Sequence, residues 1–226
     1  MTAQNKKQVL FTNKNQDKVS CYRIPSLVTA KTGTLLAVAD ERHTSCGDLL
    51  YNKNINIAMR LSTDKGASWT PVKIIIDFPD GQSASDPSMV VDKKSGEIFM
   101  FYNYMDHNIP GNEFRYHVVR SRDNGQTWSS PEDITDQVVP DEWKKDFKFI
   151  TSGRAVQTKK GWILNTLVKL NEGVYVIGTK DHGKTWFRLP ALAKDADETN
   201  IVELPNKQWM LNARVKNLGY RKIYIS

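Results

Sequence analysis

Three stretches of the chain, STDKGASW (62–69), SRDNGQTW (121–128) and TKDHGKTW (179–186), spell one pattern, [ST]-x-D-x-G-x-[ST]-W. Their aspartates, Asp64, Asp123 and Asp181, lie 59 and then 58 residues apart (64 to 123, 123 to 181). A fixed period of this length marks a repeat architecture. Each box has the chemistry of a tight turn. The aspartate carboxylate accepts backbone N–H groups, and Gly66, Gly125 and Gly183 take positive φ without a Cβ penalty. Trp69, Trp128 and Trp186 each add a large apolar face with one N–H donor, suited to wedging the turn against a neighbouring unit. A calcium loop of the EF-hand kind is excluded, because its further oxygen ligands and terminal glutamate are missing.

Working outward from the boxes, short apolar runs bounded by Gly, Pro, Asn and Lys recur in every unit. First strands are expected at RIPSLVTA (23–30), DPSMVVD (86–92), GRAVQT (153–158) and TNIVEL (199–204). Second strands are expected at TLLAVAD (34–40), EIFMFYNYM (97–105), WILNTLVK (162–169) and QWMLNARV (208–215). Third strands, INIAMRLS (55–62), YHVVRS (116–121) and VYVIGT (174–179), lead into the boxes, with KIYIS (222–226) in the same place in a fourth unit. Outer strands follow at PVKIIID (71–77), EDITDQV (132–138) and FRLPAL (187–192). Four antiparallel strands repeated about an axis define an all-β propeller. The blades are expected at about 22–80, 84–140, 150–193 and 197–226, so that the chain supplies about three and a half.

Composition removes several function classes. No apolar run approaches the roughly 18 residues of a membrane span. The opening MTAQNKKQVL lacks the apolar segment of a secretory signal, which makes a cytoplasmic location the default. The net charge of +7 is dispersed over pairs such as Lys6-Lys7, Lys93-Lys94, Lys144-Lys145 and Lys159-Lys160, with no basic stripe or motif for nucleic acid. Cys21 and Cys46 are too few for a disulfide framework and share no metal-ligand spacing with the histidines, so both read as free thiols. No metal or cofactor is expected.

Because neighbouring strands alternate in direction, the boxes gather at one rim, while first-strand starts and second-strand ends gather at the other. That second rim collects Arg23, Asp86, Arg154 and Glu198, together with Arg42, Asn103 and Arg214, and Asp48 in the loop after Arg42. Converging guanidinium groups suit a planar carboxylate. Carboxylates beside them suit glycoside chemistry.

On these residues the chain resembles the bacterial exo-α-sialidases. YRIP (22–25) matches that family's Phe/Tyr-Arg-Ile-Pro motif, the three boxes match its Asp boxes, and DERHTSCGD (40–48), ASDPS (84–88) and ETNIVELPNKQWMLNAR (198–214) resemble its active-site segments. The resemblance implies a six-bladed propeller that removes terminal sialic acids from glycoconjugates with retention, in proteins often secreted or held at the cell surface. It implies that Arg23 and Arg214 hold the sugar carboxylate and that Asp48 is the general acid/base. Glu198 would activate a tyrosine nucleophile, and Arg42 and Asp86 would contact polar ring substituents around the O4 hydroxyl. It also places the nucleophile and a third arginine beyond Ser226, so that the 226 residues alone are expected to be inactive or weakly active. The expected partners are sialylated glycans. A sialic-acid-binding propeller without catalysis and a trans-sialidase are the alternatives. Asp48 and Glu198 speak against the first, since a lectin needs no acid/base pair.

Overall fold

The computed structural model describes residues 7–111, 113–216 and 218–226; Lys6 and the rest of the first six residues lie outside the described residues. Antiparallel hairpins build four sheets in succession. Blade one consists of β1 (Cys21–Thr29), β2 (Leu35–Arg42), β3 (Ile55–Ser62) and β4 (Lys73–Ile76). Blade two consists of β5 (Gln82–Val91), β6 (Ile98–Asp106), β7 (Arg115–Ser121) and β8 (Glu132–Asp133), followed by one helical turn, α1 (Thr135–Val138). Blade three contains β9 (Lys148–Ile150), β10 (Gly153–Arg154), β11 (Val156–Gln157), β12 (Ile163–Lys169), β13 (Gly173–Thr179) and β14 (Phe187–Lys194). Blade four contains β15 (Thr199–Glu203), β16 (Trp209–Arg214) and β17 (Arg221–Ile225).

The buried apolar residues fall into clusters that lie between blades. Val28, Leu36 and Met59 of blade one meet Met89, Met100 and Val119 of blade two. Phe99, Phe101 and Val118 meet Ile163, Ile177 and Trp186, and Leu164, Val174 and Val176 meet Ile201 and Leu211. The core is therefore a series of seams, each made by one sheet facing the next.

The boxes close those seams. In each, the aspartate accepts bonds from the first Ser/Thr of the motif and from the Ser/Thr four residues on, as when Ser68 N donates to Asp64 Oδ1 at 2.9 Å and Ser62 Oγ at 2.8 Å. The same first hydroxyl accepts from the glycine N–H, as Ser62 does from Gly66 at 2.8 Å. Lys65 and Gly66, Asn124 and Gly125, and His182 and Gly183 are successive left-handed residues, the backbone that a primed turn requires. Trp186 meets Phe99 and Phe101 edge-on at 6.3 and 5.3 Å across the seam. Trp128 lies against the seam between blades one and two. Trp69 donates to Gln8 Oε1 at 3.1 Å.

The glycines carry a second constraint that the motif alone does not reveal. A Cβ on Gly125 would stand 2.3 Å from Leu36 Cδ2 of blade one, whereas Gly161, with a similar φ of +87°, has nothing within 4 Å. Gly161→Ala is expected to cost about 1–2 kcal/mol for the left-handed backbone alone. Gly125→Ala is expected to cost roughly 1–3 kcal/mol more from overpacking. Urea denaturation of the two variants measures the difference directly.

Three expectations need correction. EDITDQV is not one strand, because Asp133 Oδ1 accepts Thr135 N at 2.9 Å and Thr135 Oγ1 accepts Tyr116 N at 2.8 Å, turning the chain into α1 after two strand residues. GRAVQT is divided, since β10 pairs in parallel with β5 of blade two while β11 pairs with β12 of its own blade. Ser26 of blade one donates its hydroxyl to the carbonyl of Gly153, so this segment touches both earlier blades. Finally, Cys21 and Cys46 are not free thiols but form a disulfide across a sequence separation of 25. β2 returns antiparallel to β1, setting Cys21 opposite Arg42, and Cys46 follows only four residues later.

Candidate functional site

Two breaks in the strand ladders shape the rim opposite the boxes. The pairing of β1 with β2 shifts between Arg23 and Ser26, and that of β5 with β6 shifts between Ser85 and Ser88. Ile24 and Asp86, inside these breaks, have φ of 55° and 62°. For a β-branched residue such as Ile24 this is an outlier, and such conformations cost of order 1–3 kcal/mol each. Pro25 and Pro87 follow them and have no N–H to strand where the ladder opens.

The breaks bring polar groups from three blades into one network. Asp48 Oδ1 accepts from Arg23 Nη1 and from Arg42 Nη1, each at 2.9 Å. Arg42 Nη1 also donates to the carbonyls of Cys46 and Gly47 at 3.0 and 2.7 Å, and its Nη2 donates to Asp40 Oδ2 at 2.8 Å. Asp40 further accepts Ser85 Oγ at 2.6 Å and Asp86 N at 3.0 Å. Asp86 Oδ2 accepts from Asn103, whose amide also exchanges bonds with the backbone of Ile150 at 3.0 and 2.8 Å. Arg42 and Asp40 are wholly buried, whereas Arg23 and Asp48 are exposed.

Glu198 and Arg214 form their own exposed pair at 2.8 Å in blade four, reinforced by Arg214 N donating to Glu198 O at 2.8 Å. No ion pair joins them to the first network among the described residues, yet the Glu198 charge is felt at Asp86. Arg154, on β10, is exposed and makes no ion pair among the described residues. Asp40 escaped the sequence reading although the signal was there. An Asp and an Arg at positions i and i+2 of a strand share one face, and here both follow directly on the apolar run 35–39 in the same strand.

The carboxyl groups differ electrostatically. Desolvation acts to raise Asp48, but bonds and charge from Arg42 and Arg23 outweigh it and hold the group below its usual range. Burial, with the charges of Asp48 and Glu198 added, pushes Asp86 up to about 6 against the Asn103 hydrogen bond and Arg42. Burial and Asp86 also raise Asp40. The two raised carboxyls face one another and titrate as a pair, so a proton taken up on approaching acid pH is shared between them.

In the boxes, side-chain and backbone bonds from Ser68 and Thr127 hold Asp64 and Asp123 down to about 2. These shifts act on stability with opposite signs. A raised carboxyl gives stability as pH falls through its folded value of about 6. A depressed carboxyl gives stability above its unfolded value, which is lost as pH falls through about 2. Thermal unfolding across pH 2–8 is therefore expected to peak at roughly pH 4–5. Asp86→Asn should flatten the limb between neutral pH and the peak, and Asp123→Asn should reduce the acid fall.

No group of three or more His, Cys, Asp or Glu side chains suited to a metal ion occurs among the described residues. No helix is long and apolar enough to cross a membrane among them.

Comparison with known proteins places the chain. Residues 24–226 match the family model described as a BNR repeat-like domain. A sialidase of Micromonospora viridifaciens is 32% identical over 91% of this chain and 34% of its own length. A sialidase of Bacteroides fragilis is 29% identical over 93% of this chain and 42% of its own. The chain thus spans well under half the length of these curated relatives. Among solved structures, the Hadza microbial sialidase Hz136 superposes with a TM-score of 0.82 at 29% identity, over 91% of this chain and 44% of that one. An intramolecular trans-sialidase from Ruminococcus gnavus shares the fold with a TM-score of 0.81 at 18% identity, over 96% of this chain and 70% of that one. Three matching boxes, the YRIP strand, the seams between sheets and a match over nearly the whole length all lead to one conclusion: the chain belongs to the BNR repeat-like domain family and is similar to sialidases across it.

Proposed function

We propose that this chain supplies the acid/base and carboxylate-binding portion of an exo-α-sialidase site in a six-bladed ring. Blades over about 22–80, 84–140, 150–193 and 197–226 form this chain's share. The observation that carries the proposal is the Asp48 carboxylate seated between two guanidinium groups at 2.9 Å each. A site that accepts one carboxylate there is chemically fitted to accept the carboxylate of a sialic acid, with exposed Arg214 as a second clamp. Asp48 then acts as general acid/base toward the glycosidic oxygen. Glu198 orients and deprotonates the nucleophile. Asp86 and Arg42 form the polar floor under the ring substituents, Arg42 working through Asp48 and the backbone it holds. No tyrosine hydroxyl is hydrogen-bonded to Glu198 or Asp48 among the described residues, which fits a nucleophile contributed from elsewhere in the ring.

Titrating the protein with free N-acetylneuraminic acid tests the reading by NMR of the arginine side chains. The Nε–H signals of Arg23 and Arg214 are expected to shift with a dissociation constant near ~1 mM, about −4 kcal/mol. The methyl ester, which lacks the negative charge, should shift neither. Equal responses to acid and ester would refute the carboxylate clamp.

A further inference from the structure

The loop between β2 and β3 carries Asp48, and its two halves are held by different means. On the C-terminal side Asn52 is wholly buried and binds the loop to itself and to blade two. Its Nδ2 donates to Ser45 O at 2.8 Å, its Oδ1 accepts from Thr44 Oγ1 at 2.7 Å and from Asn54 N at 3.1 Å, and its carbonyl accepts from Ser83 Oγ at 3.0 Å. On the N-terminal side exposed Cys46 and half-buried Gly47 have no regular secondary structure, and the buried side chain that reaches them is Arg42, which donates to their carbonyls at 3.0 and 2.7 Å. One further tie is covalent. Cys46 is bonded to Cys21, two residues before Arg23 in β1.

The same residue is also the acceptor that the two arginines share. The carbonyl of Cys46 takes a hydrogen bond from Arg23 Nη1 at 2.9 Å and from Arg42 Nη1 at 3.0 Å, and both guanidinium groups continue to Asp48 Oδ1. The disulfide thus spans two residues either side of the pair whose geometry matters: Cys21 to Arg23 along β1, and Cys46 to Asp48 along the loop.

We propose that the Cys21–Cys46 disulfide is a thiol-sensitive clasp that holds the Asp48 loop against Arg23 and Arg42, so that an external dithiol releases the loop and disorganises the site. Cys46 is the exposed partner and the point of attack. A thiolate of the dithiol bonds to its sulfur, and the S–S bond breaks with Cys21 leaving as a thiolate that takes up a proton. The second thiol of the reagent, losing its proton, then displaces Cys46 and closes its own disulfide. The protein gains two electrons and two protons, and the reagent is oxidised by the same amount. Cys46 is in this view a positioning residue, and its consequence for catalysis rests on the reading of Asp48 given above. The clasp itself does not.

Peptide mapping of the unreduced, alkylated protein is expected to recover Cys21 and Cys46 in one linked species; two alkylated thiols would overturn the proposal. Treatment with dithiothreitol should accelerate tryptic cleavage at the exposed Lys53 by about tenfold through local opening. It should have no effect on the Cys21→Ser/Cys46→Ser variant. The readout specific to positioning is the titration of the Asp48 carboxyl carbon by NMR, which should move up toward the ordinary carboxylate range on reduction as the arginines are lost. An unchanged cleavage rate or an unchanged titration after reduction would each overturn the clasp. None of these measurements uses sialic acid, so a failed sialic acid titration beside an intact clasp counts against the proposed function alone.

Discussion

Asp48→Asn is expected to reduce hydrolysis of a sialyl-lactose substrate by roughly 10²–10⁴-fold, the usual worth of a general acid, when the chain is fused in frame to the remainder of the Bacteroides fragilis relative. The loss should depend on the leaving group. A sugar alkoxide departs poorly unless its oxygen is protonated as the bond breaks, whereas an aryl leaving group of low pKa departs as the anion. An activated aryl sialoside should therefore lose far less in its first step, and the ratio between the two substrates isolates the proton transfer from any change in folding. A further expectation comes from the ion pairs. In the unliganded site Asp48 is held deprotonated by Arg42 and Arg23, the wrong state for an acid. A substrate carboxylate that takes over Arg23 removes part of that hold and lets Asp48 accept the proton it must donate. The alkaline limb of kcat/KM, which reports Asp48 losing its proton in the free enzyme, should accordingly lie lower than the corresponding limb of kcat. Equal losses for both substrates would refute the assignment of Asp48.

The second large effect concerns stability. Arg42 is the bulkiest of the wholly buried side chains, and Asp40, its partner, is wholly buried as well. Removing one member of a buried pair leaves an uncompensated charge and costs about 3–5 kcal/mol, while replacing both is often nearly neutral. Arg42→Met should cost this much and more, since the carbonyl of Gly47 loses its donor and that of Cys46 one of its two. With total stabilities of about 5–15 kcal/mol for domains in general, the variant should be close to unfolding at physiological temperature. Asp40→Asn added to Arg42→Met should recover a large part of the loss in urea denaturation. If the double variant is no more stable than the single, the penalty lies in the loop contacts and not in the charge of Asp40.

How much of this was written in the sequence varies with the range of the forces involved. INIAMRLS was read as a strand over 55–62, the limits of β3, because a short apolar run between turn residues depends on local patterning alone. The box turns were equally legible, since each polar letter of the motif bonds within eight residues. EDITDQV failed because a side-chain bond from Thr135 to Tyr116, 19 residues away, outweighed strand propensity. In the site, Arg23, Arg42, Asp48 and Asp86 could be gathered at one rim by strand polarity. The buried position of Arg42 and the role of Asp40 needed the seam with blade two, where Ser85 and the Asp86 N–H complete the coordination of Asp40. A count of two cysteines does not reveal the disulfide, whereas the strand pairing does. Once Cys21 is set opposite Arg42, its proximity to Cys46 follows.

The two-residue strand Gly153–Arg154 has a consequence for how the molecule comes apart. In a repeat array, neighbouring units are usually coupled by side-chain contacts and can open one at a time. Here the main chain of blade three enters the ladder of blade two, pairing Gly153 with Ser88 and Arg154 with Met89, and Ala155 N donates to Met89 O at 3.1 Å. Blades two and three therefore share a backbone seam and belong to one cooperative foldon. Their slowest-exchanging amides should report a single opening free energy, while those of blade one follow a separate and lower one.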